Sequence, residues 1–330
     1  MSRYFSRRAA LVLLGLACLP GAVRMAFAEP AYPSRPVNIV VPFAPGGGAD
    51  IVARTLAKSL GEQFGQSFVV DNRCGAGGVI GTTIVARAAP DGYTLLFAPS
   101  SHVVNPAVMA TLPYDTERAF EPISLVASAT VLLGVNPKVP ASSLKDFIAL
   151  VRKPENNRLA NYGSAGNGTP FHLVSEQFKR ATGVEMQHIA YRGGSPATTA
   201  LVAGEVPFLF ETAITLSPFA KSGAVRLLAV MSKQRTPLFP DVPTIGELGY
   251  PELTFSNDYG LYAPAGTPPA VIQAMAAAVA KAVRSPEVQA TLTAQGTVPV
   301  GSTPDELRSY VHREIKRWKA VAQTSHITLN

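Results

Sequence analysis

The sequence predicts an α/β protein with a mostly parallel β-sheet and two domains. Short apolar runs alternate along the chain with segments of helical periodicity, which is the pattern of βα units. Glycine and proline, at 27 and 28 residues, separate these segments and indicate many loops. The length of 330 residues is typical of two domains of roughly 150 residues each. Because no charge run or glycine/serine linker divides the chain, we expect the domains to share it through more than one crossing.

Residues 1–28 have the features of a secretion signal. Four arginines precede the first acidic residue, Glu29, and an apolar stretch follows at residues 9–19. The sequence Ala26-Phe27-Ala28 fits the A-x-A pattern that signal peptidases cleave, so we expect a mature chain that begins at Glu29 in the periplasm. The apolar stretch is too short to cross about 30 Å of hydrocarbon as an anchor.

The signal segment also affects the charge and cysteine arguments. Arg7-Arg8 is consistent with twin-arginine export, although paired arginines occur in ordinary signals as well. The formal charge of +7 belongs in part to this segment, and the remaining basic residues form no cluster, so we expect no nucleic-acid partner. Cleavage leaves Cys74 as the only cysteine, which excludes an internal disulfide.

Apolar runs bounded by polar or glycine-rich segments predict the strands. The first run, residues 37–41, leads through a glycine-rich turn into a helix with Val52, Leu56 and Leu60 at four-residue spacing. The predicted strands are residues 37–41, 68–70, 94–98, 131–135, 188–191, 206–210, 225–231 and 260–263.

Helix starts are marked by a capping hydroxyl before proline. These pairs occur at Thr169-Pro170, Ser195-Pro196, Thr267-Pro268 and Thr303-Pro304. The last of them continues to Glu306 as a capping box. The final helix then carries one apolar face, made of Leu307, Val311, Ile315 and Trp318, which we expect in the core.

Motifs for catalysis, metal or nucleotide binding are absent from the sequence. It has no H-E-x-x-H, no P-loop, and no closely spaced His/Cys pair for zinc. Residues 163–166 miss the G-x-S-x-G nucleophile elbow, and residues 75–81 miss G-x-G-x-x-G because Ile80 occupies the third glycine position. We therefore expect no catalytic residue, no metal and no cofactor.

Three polar, glycine-rich turns lie where predicted helices begin. They span residues 43–50, 164–172 and 191–195. Such a turn offers free backbone N–H groups and the positive end of a helix dipole, which together suit an anion. Because all three turns lie where a predicted helix begins, they indicate a shared cleft for an anion.

The chain resembles the Bug family of extracytoplasmic solute-binding receptors, the substrate-binding subunits of tripartite tricarboxylate transporters. The similarity runs from about Tyr32 to the C-terminus in consistent order. It is carried by the segments at residues 42–50 (PFAPGGGAD), 71–78 (DNRCGAGG), 91–96 (DGYTLL), 191–194 (YRGG) and 262–268 (YAPAGTP).

This resemblance implies a two-lobed periplasmic-binding-protein-like fold with the ligand cleft between the lobes. Lobe 1 would comprise residues 29–128 plus 253–330, and lobe 2 residues 129–252. The ligand would be a small organic carboxylate held largely by backbone amides and waters, and integral-membrane permease subunits would be the partners of a monomeric receptor. Carried over by position, the ligand-binding residues would be Phe43, Ala44 and Gly47 on one wall, Ser100 and His102 at the rim, and Ser164, Gly166, Gly168, Thr169 and Arg192 on the other wall.

Departures from the family pattern concern the choice of ligand. Cys74 stands where the family usually has proline, and Asp258-Tyr259 replaces a frequent tryptophan. Glu211 stands where aspartate is common, at the end of an apolar strand that points towards the expected cleft. We expect Glu211 to influence which acid is accepted, with a surface charge as the alternative role. A cleft holding both Glu211 and Asp258 would accept a highly charged tricarboxylate less readily than a monocarboxylate or an amine-bearing acid.

Two other functions compete with a transport receptor. A secreted hydrolase would use Ser164 or Ser100 as nucleophile with one of the histidines, although no acid is placed by the sequence to orient the base. A sensor accessory would dock the same ligand-bound protein on a signalling partner, which the sequence cannot distinguish from transport.

Overall fold

A computed structural model describes residues 32–325 as a mixed α/β protein. Its strands are β1 Val37–Val41, β2 Phe68–Asn72, β3 Thr94–Ala98, β4 Phe120–Val135, β5 Asn161–Ser164, β6 Gln187–Ala190, β7 Phe208–Thr212, β8 Arg226–Val230, β9 Ser256–Pro264 and β10 Thr297–Pro299. Its α-helices are α1 Gly48–Phe64, α2 Val79–Ala86, α3 Ser101–Val108, α4 Leu144–Val151, α5 Pro170–Thr182, α6 Gly194–Ala203, α7 Ala213–Lys221, α8 Pro269–Arg284, α9 Pro286–Ala294 and α10 Pro304–Ser325. The expected signal segment, residues 1–28, lies outside the described residues.

The strands form one continuous sheet in the order β2-β1-β3-β9-β4-β7-β5-β6, and β8 and β10 also pair with β4. The outer strands are parallel, β1 to β2 and β3, and β5 to β6 and β7. The central strands β4 and β9 are antiparallel to their neighbours. The expectation of a mostly parallel sheet is therefore wrong at the centre of the sheet. There β4 and β9 pair antiparallel, whereas parallel neighbours require a crossover connection, usually a helix.

The long strand β4 connects the two halves of the sheet. Its residues 120–130 pair with β9, and its residues 131–135 pair with β7 and β8. One half of the sheet is thus β1, β2, β3, β9 and β10, and the other half is β5 to β8. Two antiparallel strands, β4 and β9, meet at the junction of the halves.

The core lies on both faces of the sheet, where helices cover it. Leu307, Val311, Ile315 and Trp318 of α10 are all buried, as the periodicity predicts. Trp318 packs edge-on against Phe255, with ring centroids 5.8 Å apart. The predicted capping box also forms, since the Thr303 N–H donates to Glu306 Oε2 (2.8 Å) and the Glu306 N–H to Thr303 Oγ1 (3.3 Å). The C-terminal helix is therefore fixed by its cap and by burial of one face.

Candidate functional site

Four helices begin around one cavity of about 30 Å³. The first turns of α1, α3, α5 and α6 contribute Gly48, Ser101, Phe171 and Gly194 to its wall. The complete lining is Phe43, Gly47, Gly48, Ala49, Pro99, Ser101, Ala165, Thr169, Pro170, Phe171, Gly194, Glu211, Asn257 and Tyr259. None of these residues is a lysine, an arginine or a histidine, so the helix starts are the positive groups of the wall.

The loop before α1 is held in shape by Asp50 and Asn72. Asp50 Oδ2 accepts the Gly46 N–H (2.9 Å), while Asn72 Nδ2 donates to the Phe43 carbonyl and to Asp50 Oδ1, both at 3.0 Å. Burial would raise the pKa of Asp50, but hydrogen bonds from Arg54, Gly46 and Asn72 outweigh it, and the pKa is lowered. Asp50 is therefore a fixed carboxylate behind the loop, which leaves Phe43 and Gly47 to line the cavity.

The loop before α6 faces the loop before α1 at close range. A Cβ placed on Gly193 would lie 3.2 Å from the Ala44 nitrogen and from Ala44 Cβ, and Gly193 has a φ of +145°. A glycine is therefore required at this approach. Ala44 contacts the opposing loop without lining the cavity, and Arg192 is exposed on that loop.

The turn from Ser164 to Thr169 is closed by its own side chains. Ser164 Oγ accepts the Gly166 N–H (3.1 Å), and Thr169 Oγ1 donates to the Gly166 carbonyl (2.7 Å). The Gly168 N–H donates to His172 Nδ1 (3.3 Å). Thr169 also caps α5 and lines the cavity, whereas the Ser164 hydroxyl is occupied within the turn. The N–H groups of Gly166, Gly168 and Thr169, like the hydroxyl of Ser164, are thus used within the turn and its helix. Ala165 and Thr169 are the residues by which the turn lines the cavity.

Glu211 is the one acidic residue in the cavity lining, at the end of β7. It is 2% exposed, and its Oε1 accepts the Thr212 N–H (2.7 Å) and Oγ1–H (3.0 Å). Burial raises the pKa of Glu211 to about 7, and the two bonds from Thr212 oppose that rise. The alternative of a surface charge does not match this position.

Alternate residues of β9 face opposite sides, which separates Asn257 and Tyr259 from Asp258. Asn257 and Tyr259 line the cavity, although neither was predicted as a binding residue. The Asp258 carboxylate instead accepts bonds from Ser128 (2.5 Å), Ser256 (3.1 Å) and Tyr310 (2.8 Å). The period-two alternation of a strand that crosses the centre of the sheet is the signal that could have identified the lining pair.

The structure places Ser100 and His102 away from the expected rim. Ser100 Oγ accepts the Asp258 N–H (2.8 Å), and its neighbour Ser101 lines the cavity in its place. His102 is 2% exposed, and its ring packs against Phe120 and Tyr262 with centroids 4.9 and 4.6 Å away. Burial lowers the pKa of His102 to about 3. The first turn of α3 directs this side chain into the core, which explains the difference.

Ser164 and His188 form the one serine–histidine contact that resembles a nucleophile and its base among residues 32–325, with Ser164 Oγ 2.6 Å from His188 Nε2. The same oxygen also takes part in the turn, and the His188 ring stacks on His172 (4.0 Å) and Tyr162 (4.9 Å). Burial lowers the pKa of His188 to about 3. The surroundings of His188 are thus aromatic, without the oriented acid that a hydrolase triad needs.

Comparison with known proteins identifies the family. A family described as "Tripartite tricarboxylate transporter family receptor" matches residues 52–327. The curated protein BugT of Bordetella pertussis is 37% identical over 315 residues, which cover 95% of this chain and 96% of BugT.

Solved structures agree in fold over nearly the whole chain. A Rhodopseudomonas palustris protein solved with adipate is 35% identical, with a TM-score of 0.86 over 90% of this chain and 99% of the other. MatC from the same organism, solved with bound malate, is 33% identical, with a TM-score of 0.84 over 88% and 99%. The predicted periplasmic-binding-protein-like fold is thereby confirmed, and the hydrolase alternative is not supported. The chain belongs to the tripartite tricarboxylate transporter receptor family, of which the Bug proteins are members, and is a solute-binding receptor, not an enzyme.

Proposed function

We propose that this protein is a periplasmic receptor that binds a small organic carboxylate in the cavity between the four helix starts. It then delivers the carboxylate to permease subunits in the membrane. The observation that supports this most strongly is the convergence of α1, α3, α5 and α6 on a wall without lysine or arginine. Relatives solved with adipate and with malate support the carboxylate class. The signal segment at residues 1–28 supports the periplasmic location, and no described helix is long and apolar enough to span a membrane.

Backbone donors supply most of the proposed affinity. The first N–H groups of a helix lack the usual partner four residues earlier, so a helix start can offer donors to an anion. At α3 the N–H groups of His102 and Val103 already donate to the carbonyls of Pro99 and Ser100, so we expect α1, α5 and α6 to supply most of the donors. A helix dipole contributes about 0.3–1 kcal/mol, whereas each charge-assisted hydrogen bond contributes about 1.5–3 kcal/mol. Two or three such bonds therefore outweigh the dipoles and need no cationic side chain.

The proposed ligand lies between two lobes, residues 29–128 plus 253–330 and residues 129–252. The loop with Phe43, Ala44 and Gly47 forms the wall from the first lobe. The wall from the second includes Ala165 and Thr169 of the 164–169 turn and Gly194 at the start of α6, whereas Ser164, Gly166, Gly168 and Arg192 do not line the cavity. The strands β4 and β9 at the junction of the two half-sheets support this division.

Calorimetric titration of the mature chain, residues 29–330, with adipate, malate and other small mono- and dicarboxylates tests the proposal. We expect saturable binding of at least one acid, and at 100 times its dissociation constant that acid should add about 2.7 kcal/mol to the stability. Absence of binding across the carboxylate panel, with sugars or cations bound instead, would contradict it.

A matched pair of glycine variants locates the binding. A Cβ on Gly47 would lie 3.6 Å from the Ala44 carbonyl oxygen and 3.8 and 3.9 Å from the backbone nitrogens of Ser195 and Gly194, which are ordinary contacts, so we expect the side chain of Gly47→Val to cover these donors. Gly246 lies away from the cavity, and a Cβ there would have equally ordinary contacts at 3.8–3.9 Å. We expect Gly47→Val to lose at least tenfold in affinity and Gly246→Val to bind like the wild type.

A further inference from the structure

We propose that the receptor selects carboxylates that also carry an ammonium group, and that Glu211 receives this ammonium. This inference rests on the proposed function, since it concerns the other end of the same ligand. It would make Glu211 the residue that determines specificity, while the helix starts hold the carboxylate. It follows from the hydrogen bonding, the packing and the charge environment of Glu211.

The hydrogen bonding of Glu211 leaves one carboxylate oxygen available. Oε1 accepts both the N–H and the hydroxyl of Thr212. Oε2 accepts no hydrogen bond from any residue in the described range 32–325. Because Glu211 lines the cavity, a ligand bound there can donate a hydrogen bond to this oxygen.

The absence of a side chain at Gly194 leaves room for this oxygen beside the cavity. A Cβ on Gly194 would overlap Oε2 of Glu211, and both residues line the cavity. Glycine at the first position of α6 therefore provides the space in which Glu211 stands. The side chain is 98% buried by protein, yet it forms part of the cavity wall.

The groups facing Glu211 supply no positive side chain. Tyr259 of β9 is the other titratable side chain in the cavity lining, and burial raises its pKa well above the usual range. Neutral Leu132 of β4 pairs opposite Glu211. Helix α6 carries no titratable residue, α7 carries only Lys221 at its last position, and His172 of α5 accepts the Gly168 N–H.

A ligand ammonium fits this environment better than a second carboxylate. An ionised carboxylate buried without a cation is costly, and a ligand carboxylate beside it would add a like charge. An ammonium supplies both the counter-charge and three donors. A zwitterion would thus satisfy the helix starts with its carboxylate and Glu211 with its ammonium, without a net charge of its own.

Matched acid pairs that differ only by an amine test the inference. The pairs are β-alanine with propionate, γ-aminobutyrate with butyrate, L-aspartate with succinate, and L-glutamate with glutarate, titrated calorimetrically into residues 29–330 at pH 7.5. We expect the amine-bearing member of the pair that fits the cavity to bind roughly 10- to 100-fold more tightly, as one charge-assisted bond implies. In Glu211→Gln this preference should disappear, while Glu211→Asp should retain part of it.

The outcomes separate the inference from the proposed function. Equal or tighter binding of the amine-free acids, or an amine preference unchanged in Glu211→Gln, would overturn the role of Glu211 and leave a carboxylate receptor in place. Failure of every acid in both classes would overturn the proposed function and the inference together. Glu117→Gln, which removes an exposed acid near α10, serves as the charge control and should bind every acid as the wild type does.

Discussion

The pKa of Glu211 connects the stability of the empty protein to pH. Burial raises this pKa from 4.5 to about 7. Between these values the folded state binds more protons than the unfolded state, so stability decreases as pH rises through this window. The contribution of protonated Glu211 to the free energy of unfolding is complete below pH 4.5 and is lost above about pH 7.

Glu211→Gln should remove this loss, because glutamine keeps the shape of the side chain without its charge. We expect the empty variant to be more stable than the wild type at pH 8, by up to about 3 kcal/mol, and to approach it at pH 5. Thermal denaturation at both pH values measures the difference. If the melting temperatures of the wild type and the variant changed equally between the two pH values, Glu211 would titrate with its ordinary pKa.

The sequence was sufficient to predict the position of some cavity residues but not of others. Glu211 and Thr169 line the cavity as expected, because each follows a recognisable end of a strand or a capping position. His102 could not be placed in the same way. Its position one residue into α3 depends on the angle at which that helix leaves β3, and this angle is set by packing against Phe120 and Tyr262.

The loop before α1 depends on Asn72, which lies on β2 and does not line the cavity. Asn72→Ala removes its bonds to Phe43 and Asp50, so we expect the loop to loosen and the affinity for the bound carboxylate to fall about tenfold. Binding and melting are both measured. Asn156→Ala is the control, because Asn156 Nδ2 similarly holds a carbonyl, that of Leu150 (2.9 Å), away from the cavity. Equal affinity losses in the two variants would rule out a positioning role.

The strands differ in how clearly the sequence defines them. β1 and β3 coincide with the predicted runs because four of the five residues in each are apolar. β5 was not predicted, since Asn161–Ser164 contains only one large apolar residue, Tyr162, and depends on its parallel neighbours. The first part of β4 was also missed, because polar residues interrupt its apolar ones and it contains Pro122. Tertiary pairing, which is not local in sequence, determines both.

At the scale of the whole molecule, the cavity between the helix starts is small. A volume of about 30 Å³ holds roughly two water molecules, which is too little for a dicarboxylate. The loops before α1 and α6 approach each other closely beside it, so we expect them to separate when a dicarboxylate binds. This motion could not be read from the sequence, which identified the loops but not their contact.

A disulfide across these loops should block ligand access. A Cβ on Gly46 would lie 3.9 Å from Ser195 Cβ, within the range of about 3.5–4.5 Å found in disulfides. In a Cys74→Ser background, oxidised Gly46→Cys/Ser195→Cys should bind carboxylate at least tenfold more slowly in stopped-flow measurements. Reduction should restore the rate. Because Gly46 has a φ of +76°, Gly46→Ala controls for backbone strain, and an oxidised protein that binds at the normal rate would contradict the opening.

The crystal structure of residues 29–330 with the tightest-binding acid of the titrations is the most direct test of carboxylate recognition by helix starts. We predict that the ligand carboxylate accepts hydrogen bonds at about 2.7–3.2 Å from backbone N–H groups in the first turns of α1, α5 or α6, directly or through one water. No lysine or arginine side chain should contact it. A carboxylate bound outside this cavity, or paired with a cationic side chain, would contradict the account.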